Sequence, residues 1–136
     1  MAWLLDTNVI SELRRGIKCH PNVRAWAEAC DDADFFVSVL TLGEIRDGIE
    51  RQRKRDPAQA SALENWLNTT VKRFEGRIHP VCQAVADRWG KLLPGESLPD
   101  VDALIAATAL EHGLTIATRN VRDFIRCGVP VVNPFE

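Results

Sequence analysis

The sequence predicts an α/β fold: a short parallel β-sheet flanked by helices. Two observations carry this. Short apolar runs, WLLD at 3–6, FFVSV at 35–39, LTIAT at 114–118 and PVVN at 130–133, alternate with longer segments of helical periodicity. Those runs are apolar throughout, as strands buried on both faces of a parallel sheet are. No repeat, low-complexity tract or linker divides the 136 residues, so 1–136 reads as one domain.

The elements follow in order. Residues 7–15 (TNVISELRR) read as a helix stopped by Gly16, a natural residue just past a helix end. After Pro21, Val23, Trp26, Ala27 and Cys30 recur at helical spacing. A helix over 42–55 places Leu42, Ile45 and Ile49 on one face, and another over 57–73 aligns Ala60, Leu63, Trp66, Leu67 and Thr70. A brief strand fits around Ile78. Pro80 then opens a helix with Val81, Val85, Trp89 and Leu92 in register, and Pro94-Gly95 marks a turn. The Ala- and Leu-rich segment 100–112 is the plainest helix, with Gly113 after it.

Composition sets the bounds. Hydrophobic residues make up 46% and charged residues 26% of the chain, ordinary for a globular domain. A net charge of -2 excludes a basic coat over the whole surface, but not a nucleic-acid substrate met through a local patch. The apolar start Ala2–Leu5 breaks at Asp6, so neither a signal peptide nor a membrane span is expected. Cys19, Cys30, Cys82 and Cys127 are widely spaced and form no C-x-x-C, which predicts idle thiols in a reducing cytoplasm. Thirteen of the 17 basic residues are arginine, which tilts toward a phosphate-bearing or protein partner.

In an open α/β sheet, ligands bind beyond the carboxyl ends of the strands. Asp6 closes the first strand. Glu44 is expected in the first turn of the helix after the second. Asp102 falls in the first turn of the 100–112 helix, and Asn120 with Asp123 follows the strand ending at Thr118. Most of these also fit plain helix caps: Thr41 to Glu44 and Asn120 to Asp123 have capping-box spacing, and Asp100 is a good N-cap. Asp6 closes an apolar strand, where hydrogen bonds from the Thr7 or Asn8 turn are its bland alternative. Acids pressed together raise one another's pKa unless a cation sits between them. Hard oxygen donors select Mg²⁺ or Mn²⁺, whose chemistry suits a phosphodiester. Neither a phosphate-binding glycine loop nor a G-x-S-x-G elbow is present.

LLDTNVISEL at 4–13, SVLTLGEIRDGI at 38–49, LPDVDALIAATALEHGLTIATRNVRDF at 98–124 and the closing VPVVNPFE resemble the PIN-domain family, above all the VapC and FitB-type toxins of bacterial toxin–antitoxin pairs. The resemblance spans the chain and is least distinctive over 50–95. It implies a Mg²⁺- or Mn²⁺-dependent endoribonuclease that leaves 5′-phosphate and 3′-hydroxyl ends, a cognate antitoxin as inhibitor and a homodimer. Within that assembly the antitoxin would contact operator DNA. Asp6 stands in the family's D-T-N motif, Glu44 in E-I-x-x-G-I and Asp102 in D-A-L-I-A-A. The fourth position is Asn120, where many relatives carry Asp, with Asp123 one helical turn on. The resemblance thus implies a catalytic set of Asp6, Glu44, Asp102 and Asn120. Asp6, Glu44, Asp102 and Asp123 face the metal, while Thr7, Asn8, Thr118 and Arg119 orient the acids or touch phosphate.

Outside the acids, Arg46, Arg51, Arg53, Lys54 and Arg55 read as a solvated helix face or as a phosphate track. Trp3, Trp26, Trp66 and Trp89 read as core. The apolar faces of the 42–55 and 57–73 helices suggest a groove for an antitoxin segment or a dimer contact. Two rival functions remain at this point. A haloacid-dehalogenase-like phosphatase also starts with an Asp closing strand one, but needs a second Asp where this chain has Asn8; a receiver domain shares that weakness. A module that binds RNA or antitoxin without cutting is left open by Asn120 and opposed by Asp6, Glu44 and Asp102.

Overall fold

Five strands, each paired in parallel with its neighbour, form the middle layer of the computed structural model, which describes residues 1–92, 94–95 and 98–136. β1 (Trp3–Leu5) is central. β2 (Phe35–Ser38) and then β3 (Ile78–His79) lie to one side, β4 (Thr115–Ala117) and β5 (Val131–Val132) to the other. Leu4 stands opposite Phe36 on β2 and Ile116 on β4, and Ile116 stands opposite Val131. Strand order therefore reverses between β1 and β4. That reversal leaves a crevice at their carboxyl ends, the place where open α/β sheets bind ligands.

Seven α-helices cover the sheet among the described residues: α1 (Thr7–Leu13), α2 (Pro21–Ala29), α3 (Val39–Arg53), α4 (Pro57–Arg73), α5 (Gln83–Leu92), α6 (Asp100–His112) and α7 (Val121–Ile125). Consecutive strand residues point to opposite faces, so Leu4 and Leu5 enter different cores. Leu5 packs with Val9 and Ile10 of α1, Val23 of α2, Ile45 and Ile49 of α3 and Leu67 of α4. Leu4 packs with Ile105, Ala106 and Ala109 of α6 and Phe124 of α7. Both faces are covered, which is why the strands read as unbroken apolar runs. The alanines of α6 let its backbone lie close to the sheet. The helix stops at Gly113, whose φ of 66° is left-handed, and the Leu114 N–H returns to the Ala109 carbonyl at 2.9 Å.

Several boundaries differ from the sequence expectation. α3 starts at Val39, three residues early, because the Ser38 hydroxyl accepts the Leu40 N–H at 3.0 Å and caps the helix as soon as β2 ends. Glu44 consequently lies in the second turn, not the first, and the Thr41–Glu44 capping box does not form. α5 starts at Gln83, after Pro80, and α1 ends at Leu13, with Gly16 opening a 3-10 turn. Asp100 is the first residue of α6, not its cap; Pro99 holds that position. Asn120 precedes α7 without a side-chain cap bond.

Three surface readings also change. Trp3, Trp26 and Trp66 pack against the core, but Trp89 is 39% exposed on α5. On the apolar faces of α3 and α4, Ile45, Ile49, Ala60 and Leu67 are buried and Leu42, Leu63 and Trp66 are half-buried against them, while Trp66 and Thr70 of α4 also face a groove. That groove, of about 390 Å³, lies between α1–α2 and α4, lined by Ile10, Leu13, Ile17, Trp66 and Phe74, with Arg14 among the arginines at its rim. Within the basic stretch, Arg46 and Arg53 both bind Glu50 and Glu64, and Arg51 binds Asp47. Nine residues of helix at ~1.5 Å rise per residue carry Arg53 well away from Glu44. Intramolecular ion pairing, more than a phosphate track, describes this face.

Candidate active site

The site begins where β1 ends. Asp6 is the cap residue of α1, and its own N–H is pinned to the Ala117 carbonyl of β4 at 3.0 Å. The residue is only 7% exposed. A carboxylate this buried needs donors, and the chain provides three. Oδ1 accepts the Thr7 N–H at 2.9 Å, while Oδ2 accepts the Thr118 hydroxyl at 2.8 Å and the Asn8 amide at 3.3 Å. The D-T-N run thus folds onto its own first residue, and the far end of the chain meets it through Thr118.

Thr118 is fully buried and links the parts. Its Oγ1 donates to Asp6 and accepts from the Asn8 amide at 3.2 Å and the Asn120 N–H at 2.9 Å. Asn8 Oδ1 in turn accepts the Arg119 N–H at 3.1 Å. Arg119 is exposed, and its guanidinium lies 3.8 Å over the Phe135 ring. Thr7 turns its hydroxyl the other way and donates to Glu44 Oε1 at 2.9 Å, so α1 fixes an acid that α3 carries.

Asp102 enters from α6, in its first turn, where the helix dipole favours a carboxylate. No described donor reaches its carboxyl. Burial pushes its pKa up to about 6, and the negative charges of Asp6, Glu44 and Asp123 push the same way. That coupling brings acids from positions 6, 44, 102 and 123 into one electrostatic neighbourhood. Asn120 completes it by donating its amide to Asp123 Oδ2 at 3.1 Å. The interactions of Glu44 with Thr7, and of Asn120 with Asp123, displace the capping alternatives for both residues.

The carboxylates stand apart from one another: among the described residues no three His, Cys, Asp or Glu side chains are gathered as a finished metal cage. The donor set still fits a hard divalent cation. It is all oxygen, it has lone pairs to spare on Asp6, Glu44 and Asp102, and a cation would reverse each charge effect that raises Asp102. Two contributors escaped the sequence reading. Ser38 is an ordinary serine until the helix start is known, and Phe135 lies sixteen residues beyond Arg119 with no motif joining them.

A parallel sheet with acids converging at its reversal point defines the class. The PIN domain model matches residues 3–129, and the chain belongs to the PIN-domain family. Among individual relatives, the toxin FitB of Neisseria gonorrhoeae is 34% identical over 142 residues, covering 98% of each chain. The VapC ribonuclease Y4jK of Sinorhizobium fredii is 32% identical over 143 residues, covering 98% of this chain and 97% of its own. A crystal structure of FitAcB from N. gonorrhoeae superposes with a TM-score of 0.88 at 33% identity, over 98% of this chain and 99% of that one. A toxin–antitoxin complex from Klebsiella pneumoniae gives 0.74 at 29% identity, over 99% of both.

Proposed function

We propose that this chain is the toxin of a toxin–antitoxin pair and cuts RNA as a Mg²⁺- or Mn²⁺-dependent endoribonuclease. The observation that carries this reading is the convergence of Asp6, Glu44, Asp102 and Asp123 where the strand order reverses, with the Asp102 carboxyl raised to about 6 by burial and by the other three. Kinship with a toxin and with a VapC ribonuclease, each over nearly the whole chain, supports it.

Asp6 and Asp102 would hold the cation directly, and Glu44 and Asp123 would complete its surroundings. When bound, a divalent cation supplies Lewis acidity at the phosphate and a more acidic water. The chain's own groups do the positioning. Asp6 is held rigid by three donors, so its geometry is set before substrate arrives. Glu44 has one oxygen occupied by Thr7 and the other free to orient the attacking water and take its proton. Asn120 adds no charge and aims Asp123. Arg119 offers a cation to the RNA backbone beside the acids.

The partners follow from the same reading. An antitoxin segment seats in the groove between α1–α2 and α4, whose apolar floor of Ile10, Leu13, Trp66 and Phe74 suits the apolar face of an amphipathic helix. Under the same reading a second copy of this chain completes a homodimer, and operator DNA is met through the antitoxin. No described helix is long and apolar enough to cross a membrane. We place the whole of 1–136 in one functional unit working in the cytoplasm. Incubating the purified chain with RNA, with Mg²⁺ or with EDTA, tests the function. Fragments that need Mg²⁺ support the nuclease. RNA binding without fragments supports a non-cutting module, and phosphate release from a small monoester supports a phosphatase.

A further inference from the structure

Phe135 is 9% exposed and belongs to the same core as Leu5 and Val9. Its backbone is fixed at both ends. Its N–H donates to Asn133 Oδ1 at 3.0 Å, and its carbonyl accepts the Asn22 amide at 2.9 Å. The His20 ring meets it edge-on with centroids 5.6 Å apart. The ring is therefore tied to the start of α2 and backed by the core. Above it lies the guanidinium of Arg119, 3.8 Å from the centroid. Arg119 is fixed at its other end as well, through its N–H on Asn8 Oδ1, and it pairs with no described acid. It is also the residue directly after Thr118, whose hydroxyl bonds Asp6.

A cation placed on an aromatic face is held without using its N–H edges. A long, exposed arginine otherwise loses much rotamer freedom when it grips a phosphate. We propose that Phe135 is a positioning residue for the ribonuclease reaction: its ring holds the guanidinium of Arg119, the neighbour of Thr118 in the chain, ready for an RNA phosphate. This rests on the proposed function and deepens it, since it makes the last turn of the chain part of substrate binding. An ion pair would have held Arg119 as firmly but would have spent its charge; the ring leaves the charge available.

The test compares Phe135→Leu, which keeps apolar volume and removes the π-face, with Phe135→Trp, which restores a face. Cleavage of a labelled single-stranded RNA of 20 nucleotides in Mg²⁺ gives KM and kcat, and binding of the same RNA in EDTA gives Kd. Phe135→Leu is expected to raise KM and Kd about three- to fivefold, the scale of one exposed cation–π contact, with kcat within about twofold. Phe135→Trp restores both constants. In an Arg119→Ala background, Phe135→Leu has no further effect. In the unmutated chain, the Arg119 side-chain protons show an upfield ring-current displacement, a readout that needs no variant. An unshifted Arg119 signal overturns the proposal, as does an equal loss from Phe135→Leu with and without Arg119. If Arg119→Ala leaves KM and Kd unchanged, the proposal fails together with the phosphate role of Arg119. Mg²⁺-dependent fragments in that same assay then show that the nuclease reading stands.

Discussion

Replacing Asp102 with asparagine should make the protein more stable and inactive at once. Asp102 titrates at about 6 in the folded chain against an ordinary 3.8. Two units correspond to about 3 kcal/mol at ~1.36 kcal/mol per unit. Partial exposure of the side chain screens the effect, so about 1–2 kcal/mol is the working figure. The sign follows from proton binding. Between pH ~4 and ~6 the folded state holds more protons on this group than the unfolded chain, so stability falls as pH rises through that window. The Asp102 contribution is thus most favourable below the unfolded value and is lost above about 6. Asp102→Asn removes the titration at nearly constant shape. Urea unfolding in EDTA at pH 7.5 should show the variant about 1–2 kcal/mol more stable, equivalent to ~3–8 °C in Tm for a domain of this size. The gap should close at pH 4, and Mg²⁺ at pH 7.5 should stabilise the wild type more than the variant. A variant no more stable than wild type at pH 7.5, or a gap unchanged at pH 4, would refute the claim that the cluster strains the fold.

Three further outcomes follow from the same network. Thr118→Val keeps the buried shape and removes the hydroxyl that binds Asp6; it should cost about 1.5–3 kcal/mol in urea unfolding and lower kcat at least about tenfold, with RNA affinity in EDTA unchanged. Asn120→Asp places a like charge against Asp123 where an amide now donates; activity titrations should show Mg²⁺ bound about tenfold more tightly, and unfolding in EDTA a less stable protein. Arg77→Leu should destabilise by about 2–3 kcal/mol without altering the cleavage rate per folded molecule. Arg77 donates to the carbonyls of Asp32, Phe35 and Arg73 and lies over Phe74, far from the acids in the fold.

What the sequence made legible was what depends on local pattern. Unbroken apolar runs exposed β1, β2 and β4, and Ala-rich periodicity with Gly113 exposed α6. Asp6 was visible because a charge closing an apolar run is conspicuous. The start of α3 was not, since Val39 and Leu40 extend the strand's pattern and a single serine hydroxyl decides otherwise. An expected start at Leu42 puts Glu44 in the first turn and makes a cap plausible; the true start at Val39 removes the cap, and the hydrogen bond to Thr7, 37 residues away, gives Glu44 its place. The basic stretch stayed open between two readings for a similar reason: Glu64, which pairs with Arg46 and Arg53 alongside Glu50, lies on the next helix. Trp89 kept helical register with Val85, yet a large ring one helical turn from a buried valine need not itself be covered. Phe135 could not have been found, because nothing local links residue 135 to residue 119.

If the acids form one cutting centre, loss of one of them stops cleavage and leaves RNA binding intact. The direct measurement is the single-turnover cleavage rate of a labelled RNA in Mg²⁺ by Asp6→Asn, beside the affinity of the same variant for that RNA in EDTA. The expected rate is at least about a thousandfold below wild type, as for loss of a catalytic metal ligand, with affinity within about twofold. Cleavage by Asp6→Asn at the wild-type rate would contradict it.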